Sequence, residues 1–256
     1  MNDLRIGAQL FTVRGHTDTA ADVAETFAKV RAAGYSGVQV SAFGPVDPAD
    51  VARLASEHGL EIAATHFGWD EFLTDLDRMI DVHQGWGCRH AAIGGLPDEY
   101  REAGGIERFA AELGPVAERL AAAGIDFSYH NHNHELVRAG GRTWLAELYD
   151  GVPAAALKAE LDVYWLVAGG ADPVQWIEDL RGRQTIVHFK DMAMAPDRSQ
   201  RFVEVGEGNL NWPKIVAACR AANIEWAFVE QDDCYGQDPF ACLETSYRNL
   251  RALGLT

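Results

Sequence analysis

Histidine, aspartate and glutamate recur in this chain immediately after short apolar runs. His66 closes EIAATH. The segment Tyr129-His130-Asn131-His132-Asn133-His134-Glu135 follows DFS, Glu160-Leu161-Asp162 ends LKAELD, His188-Phe189-Lys190-Asp191 follows TIV, and Glu230-Gln231-Asp232 follows WAFV. Core packing does not explain such endings, because a buried charge costs several kcal/mol unless it is paired or bound to metal. Carboxylates and imidazoles without a thiolate suit one hard or borderline divalent ion, Mn, Mg, Co or Zn, rather than a soft one. Asp162, His188 and Glu230 are the first three candidate ligands. Each has a bland alternative: a helix cap, a satisfied core histidine, a solvated loop residue. All three at equivalent positions would be three coincidences.

The fourth ligand is Glu135 or His130. Strand alternation puts His130 and His132 on one face, and Glu135 lies three residues further on. Glu135 is the first choice, because a third carboxylate better neutralises the ion. His130 and His132 then face the substrate as general acid or base, with Glu230 a third candidate, since imidazoles titrate near neutral pH.

These residues need elements to position them. Strand patterns occur at Arg5–Leu10, Gly37–Ser41, Glu61–His66, His90–Gly94, Asp126–Asn131, Leu157–Asp162, Thr185–Lys190 and Glu225–Gln231, with helical spacing of Ala, Val, Leu and Phe between them. Gly34, Gly59, Gly87 and Gly124 stand where helices need a left-handed end, and Asp47, Asp70 and Asp172 where N-caps would open them. Eight βα units without a break, and no GxGxxG after the first strand, predict a closed (β/α)8 TIM barrel over residues 1–256 as a single domain. Such barrels carry their sites at the C-terminal strand ends. Neighbouring strands lie about 5 Å apart, so Asp162, His188 and Glu230 should converge.

Further residues could bind substrate. Gln9 ends the first strand, and His66 the third. Lys190 and Arg14 could meet a substrate oxygen or phosphate. Glu207 sits between Gly206 and Gly208, where the alternative is a tight loop before a helix. Trp69 and Trp165 follow strand ends and could stack on a sugar ring or belong to the core.

Composition narrows the partners. A net charge of −16 with no Lys/Arg run opposes nucleic acid. No stretch reaches the ~18 apolar residues of a membrane span, and the N-terminus lacks the pattern of a signal peptide. Cys88, Cys219, Cys234 and Cys242 lack CxxC spacing and read as free thiols, so a cytoplasmic protein is expected. Pairing into a homo-oligomer would be ordinary for such a barrel.

The segments HNHNHE, ELDVYW, HFKD, VGEGNLNW and FVEQD, in this order, resemble the xylose-isomerase-like sugar phosphate isomerase/epimerase superfamily, which includes tagatose epimerases, hydroxypyruvate isomerases, inosose dehydratases and endonuclease IV. The resemblance runs from GAQLFTVR to the last helix. It implies a TIM barrel, one divalent metal on Asp162, His188 and Glu230, and isomerisation or epimerisation of a small carbonyl sugar or polyol through an enediolate. The epimerases carry a glutamate at the end of strand five, where this chain has His130. That histidine-rich version is similar to the inosose dehydratases and to lyases of 3-keto sugars, so elimination on the same site is the alternative. Two further readings are a DNA-repair nuclease, opposed by the charge, and a non-catalytic sugar-binding subunit, opposed by the intact ligand positions.

Overall fold

Eight apolar runs of four to seven residues form the parallel strands of a closed barrel: β1 Arg5–Gln9, β2 Gly37–Val40, β3 Glu61–Phe67, β4 His90–Ile93, β5 Asp126–His130, β6 Lys158–Asp162, β7 Ile186–Phe189 and β8 Trp226–Val229. The computed structural model describes residues 3–256. Each strand pairs in parallel with the one before it, and β8 closes on β1. The chain therefore folds as the (β/α)8 TIM barrel expected from its sequence, with strand bounds within a few residues of those read there. Helices such as Ala20–Ala32, Pro48–Glu57, Gly105–Ala122 and Pro239–Ala252 return the chain outside the barrel. No helix among the described residues is long and apolar enough to cross a membrane.

Local signals account for the helix ends. Gly34, Gly59, Gly87 and Gly124 all have positive φ. The Asp47 and Asp172 carboxylates accept the Ala49 and Val174 N–H groups. The expectation for Asp70 is corrected: Gly68 caps that helix and its N–H goes to the Glu71 carboxylate, leaving Asp70 in the first turn. A carboxylate there still suits the positive end of the helix.

Strand alternation sends one set of side chains to the helices and the other into the barrel. Towards the bottom, Trp226 and Phe228 stack at 5.8 Å among Ala63, Ala64 and Ile186. Room for these rings comes from glycines. A Cβ on Gly7 would lie 2.5 Å from the Phe228 ring, and one on Gly37 2.4 Å from Trp226. Arg5 covers Trp226 at 3.7 Å and pairs with Glu61. This plug makes the lower barrel a packed core, so polar side chains collect at the opposite mouth.

Candidate metal centre and substrate cavity

Immediately above the plug lies a layer of buried polar side chains in one hydrogen-bonded chain. The Gln9 oxygen accepts the Phe11 N–H, and its amide nitrogen donates to the Gln39 oxygen at 2.9 Å. The Gln39 nitrogen donates to Glu160 at 2.8 Å. His188 Nε2 lies 2.6 Å from the Gln39 oxygen and 3.1 Å from Glu160, so it donates and leaves Nδ1 facing the mouth. A ring nitrogen oriented in this way from behind is the usual support of a metal-binding imidazole.

His130, Asp162, His188 and Glu230 meet above that layer. All four are buried, and one donor atom from each lies within 4.8 Å of the others. β6 places Asp162 at its end, where the chain turns into the helix Val163–Ala168. One carboxylate oxygen caps that helix, accepting the Tyr164 and Trp165 N–H groups at 2.9 and 3.1 Å. The other faces inward, 3.1 Å from His130 Nε2 and 3.8 Å from His188 Nδ1. Glu230 Oε2 lies 2.8 Å from His188 Nδ1. Two carboxylates and two imidazoles, with His130 Nδ1 lacking any hydrogen-bond partner, form a donor set that fits a borderline divalent ion.

Lys190 enters the same cluster. Its ammonium lies 3.2 Å from Asp162, 2.9 Å from Glu230 and 2.7 Å from Asp232. It is thus paired rather than free for a substrate oxygen. His66 Nε2 touches Glu160 at 2.6 Å, and its ring stacks on His188 at 5.1 Å.

Charge sets the protonation of these groups. Burial alone would lower His188, but Glu160 and Glu230 override it and push it up to about 10. Burial, joined by the His188, His132 and His66 rings, takes His130 well below its ordinary value. Burial also lowers His132 to about 4. For Glu160 burial would raise the value, yet His188 and His66 hold it well below the carboxylate range. For Glu230 burial is likewise outweighed, by Lys190 and His188. Burial and the neighbouring Glu230 push Asp232 up to about 7.

Several sequence expectations change. Glu135 does not join the four converging donors. The chain leaves the strand after His130 and turns through His134–Leu136, which carries Glu135 away. Its carboxylate accepts the Tyr129 hydroxyl at 2.8 Å and the His132 N–H at 2.8 Å, and lies 2.9 Å from His134 Nε2. It organises the loop, and His130 takes the fourth position. Trp69 is core, edge-on to Phe109 and donating to the Tyr100 hydroxyl at 3.2 Å. Glu207 points outward and accepts from Asn249. Its loop wraps Asp191, whose carboxylate accepts the Gly206 and Gly208 N–H groups and the Trp212 indole N–H. A Cβ on Gly208 would lie 2.3 Å from that carboxylate, which explains the glycine there. Arg14 is exposed and donates to the Phe11 and Asp232 carbonyls. Gln9 lies beneath the site, locked to Gln39. Trp165 stands behind His132 at 5.3 Å, under Lys190. Sequence reasoning passed over Glu160 and Gln39. The signal for Glu160 was its place two residues before Asp162, on the same strand face.

Residues 27–251 match the family model described as xylose isomerase-like TIM barrel. The chain belongs to that family. No curated protein sequence matches it. Among solved structures it resembles a sugar phosphate isomerase/epimerase from Parabacteroides distasonis at 22% identity, with a TM-score of 0.80 over 98% of this chain and 95% of the other. It also resembles an L-ribulose 3-epimerase at 20% and 0.78, over 98% and 94% of the two chains. The third is a probable 3-DHS dehydratase from Bacillus anthracis at 16% and 0.68, over 97% and 99%.

Two of the four converging donors of this family member, His130 and Glu230, line a cavity of about 640 Å³, with Asp162 and His188 buried behind them. His66, His130, His132, Lys190, Glu230 and Asp232 form its polar end. His132 Nδ1 is buried there without a partner. The size is in the range that takes a small organic ligand.

Proposed function

We propose that this protein is a divalent-metal-dependent isomerase or epimerase of a small polyhydroxylated carbonyl compound, a sugar or polyol derivative. The observation that carries the reading is the convergence of four buried donors, from His130, Asp162, His188 and Glu230, of which His130 and Glu230 line a cavity. Manganese is the expected ion, although the donors also suit Co, Zn and Mg. When bound, a divalent ion polarises a carbonyl and stabilises the negative charge that develops when a neighbouring C–H is ionised.

The residues around it have separable tasks. Gln39 and Glu160 fix the His188 ring. Asp162 is aimed by the helix that it caps. His132, on the cavity wall with a free Nδ1, takes the proton from the carbon beside the carbonyl. His66, backed by Glu160, stands on the same floor to hold or return a proton on a substrate oxygen. Return of the proton to the neighbouring carbon isomerises the substrate; epimerisation requires in addition a second carrier that delivers a proton to the original carbon on its other face.

A second reading, elimination by a dehydratase or lyase, is favoured by one observation: Glu135 is tied into the loop and His130 stands in its expected place. A two-carboxylate proton exchange then lacks one member. In this reading the proton is removed and a β-substituent leaves. A small-molecule substrate, a cytoplasmic location and a homo-oligomer remain part of this reading; a DNA substrate does not.

The test is proton exchange. Metal-stripped and Mn-loaded protein would be incubated in D2O with ketoses, inososes and 3-keto glycosides and followed by proton NMR. Deuterium should enter beside the carbonyl only with metal, and His132→Ala should slow it roughly a hundredfold with metal content intact. Loss of a β-substituent with a new vinylic signal would select elimination. Exchange that is indifferent to chelator would sink the metal-dependent reading.

A further inference from the structure

The cavity has two unlike ends. Its floor and one side carry the imidazoles, carboxylates and Lys190 described above. The other side, over β1 to β3, is formed by Phe11, Phe43, Val46, Phe67 and Trp86. These four aromatic rings are half-buried and line the cavity. Trp86 is held in place: its indole N–H donates to the Pro48 carbonyl at 2.7 Å and its ring stacks with Phe67 at 6.4 Å. Phe43 is fixed against Phe27 at 6.3 Å. A preformed aromatic wall offers large contact area at low entropy cost. A free monosaccharide held at the donor end could lay a C–H face on one of these rings but would leave most of the wall and of the 640 Å³ cavity unfilled.

Two described lining residues carry a fixed positive charge, Lys190 and Arg78, and of these Lys190 alone is buried and hydrogen-bonded. Lys190 is paired with three carboxylates, and Arg78 stands at the rim beside Glu71, 4.0 Å away. A phosphate group would meet no free, buried, hydrogen-bonding cation, and phosphate recognition usually relies on such groups.

We infer that the substrate is an uncharged glycoside-like molecule with two parts: a polyhydroxylated carbonyl ring at the floor and a flat apolar or aryl group seated on the Phe11, Phe43, Phe67 and Trp86 wall. This rests on the sugar-directed reading above and adds the substrate class. The apolar wall and two members of the donor cluster, His130 and Glu230, line one cavity, so a single ligand can reach from one to the other.

The experiment is calorimetric titration of Mn-loaded protein with the 3-keto forms of 4-nitrophenyl glucoside and methyl glucoside, with 4-nitrophenol and with glucose 6-phosphate. Metal content is measured separately by elemental analysis. The aryl glycoside should bind at least tenfold tighter than the methyl glycoside and than 4-nitrophenol. Trp86→Ala and Phe43→Ala should each cut that preference several-fold with bound metal unchanged, and because the comparison of ligands needs only the wild-type protein, a variant that fails to fold does not decide it. Equal binding of aryl and methyl glycosides, binding of neither, tighter binding of 4-nitrophenol alone, or a preference for glucose 6-phosphate would overturn the inference. If the sugar-directed metal reading itself fails, that is seen independently as protein that takes up no metal.

Discussion

Replacing His130 by Ala should strip metal from the protein, and replacing Glu135 by Gln should not. His130 supplies one of four donors grouped within 4.8 Å, whereas Glu135 stands apart from that group. Four-donor zinc sites reach apparent binding energies of about 10–16 kcal/mol. One donor therefore carries about 3 kcal/mol, and its loss should weaken Kd roughly a hundredfold. Glu135 acts elsewhere. Its two oxygens serve the Tyr129 hydroxyl, the His132 N–H and His134. An amide offers a single accepting oxygen and turns an NH2 towards a donor. Losing a buried hydrogen bond to a charged acceptor costs about 1.5–3 kcal/mol. At this chain length each kcal/mol lowers Tm by about 2–4 °C, so Glu135→Gln should melt roughly 3–12 °C lower while keeping its metal affinity within a few-fold. Competition with a chelating fluorophore at fixed pH measures the affinities, and thermal melts measure the stability. The reasoning is refuted if Glu135→Gln releases metal and His130→Ala retains it.

Trp69→Ala should cost about 3–5 kcal/mol by emptying the space against Phe109 and Phe127, with metal affinity unchanged; an unaltered melting curve together with lost ligand binding would contradict its place in the core. His83 donates from Nδ1 to the Met79 carbonyl and accepts the Thr65 hydroxyl at Nε2, and burial lowers its pKa from the ordinary 6.5. The unfolded chain thus takes up a proton that the folded chain refuses, so stability is full above pH 6.5 and falls as the pH drops below it, by at most about 1.4 kcal/mol per unit. Denaturant melts of His83→Gln between pH 7.5 and 5.5 should have a flatter pH dependence than wild type, and an unchanged slope would rule the assignment out.

How far the site was legible depends on how far the chain remains a strand. Up to His130 the rule of two holds, so Asp162, His188 and Glu230 were placed from the sequence, as was the barrel around them. Parallel strands buried on both faces read as apolar runs, and polar residues at their ends stand out. Past His130 the chain enters a 3-10 turn, and no periodicity predicts that Glu135 folds back onto Tyr129. Glu207 and Trp69 were ambiguous for the opposite reason. A Gly-Glu-Gly loop and a tryptophan after a strand have the same local sequence whether they serve a ligand or the fold. What decides is a partner remote in sequence, Asp191 for the loop and Phe109 for the indole. Gln39 and Glu160 were readable in principle, since both occupy inward positions next to ones already chosen. Neither is the last residue of its strand, and the groups that orient a ligand lie one layer below the strand ends.

That lower layer also bears on the choice between reactions. Of the carboxylates near the four donors, Asp162 gives one oxygen to a helix cap, Glu160 is held between His66, His188 and Gln39, and Glu230 is paired with His188 and Lys190. Glu135, the carboxylate that could have faced Glu230 across a substrate, is turned into its own loop. On the proposed reading proton movement then falls to imidazoles: His130 and His132 both line the cavity with an unpartnered Nδ1, and with His130 among the four donors His132 is the carrier left. Inversion of a carbon needs a proton taken from one face and returned to the other, hence two opposed carriers. A single carrier suits removal without return, or return to the neighbouring carbon on the same face. On this count the direction of one side chain, Glu135, weighs towards isomerisation or elimination and against inversion, while the barrel and three of the four donors are neutral between them.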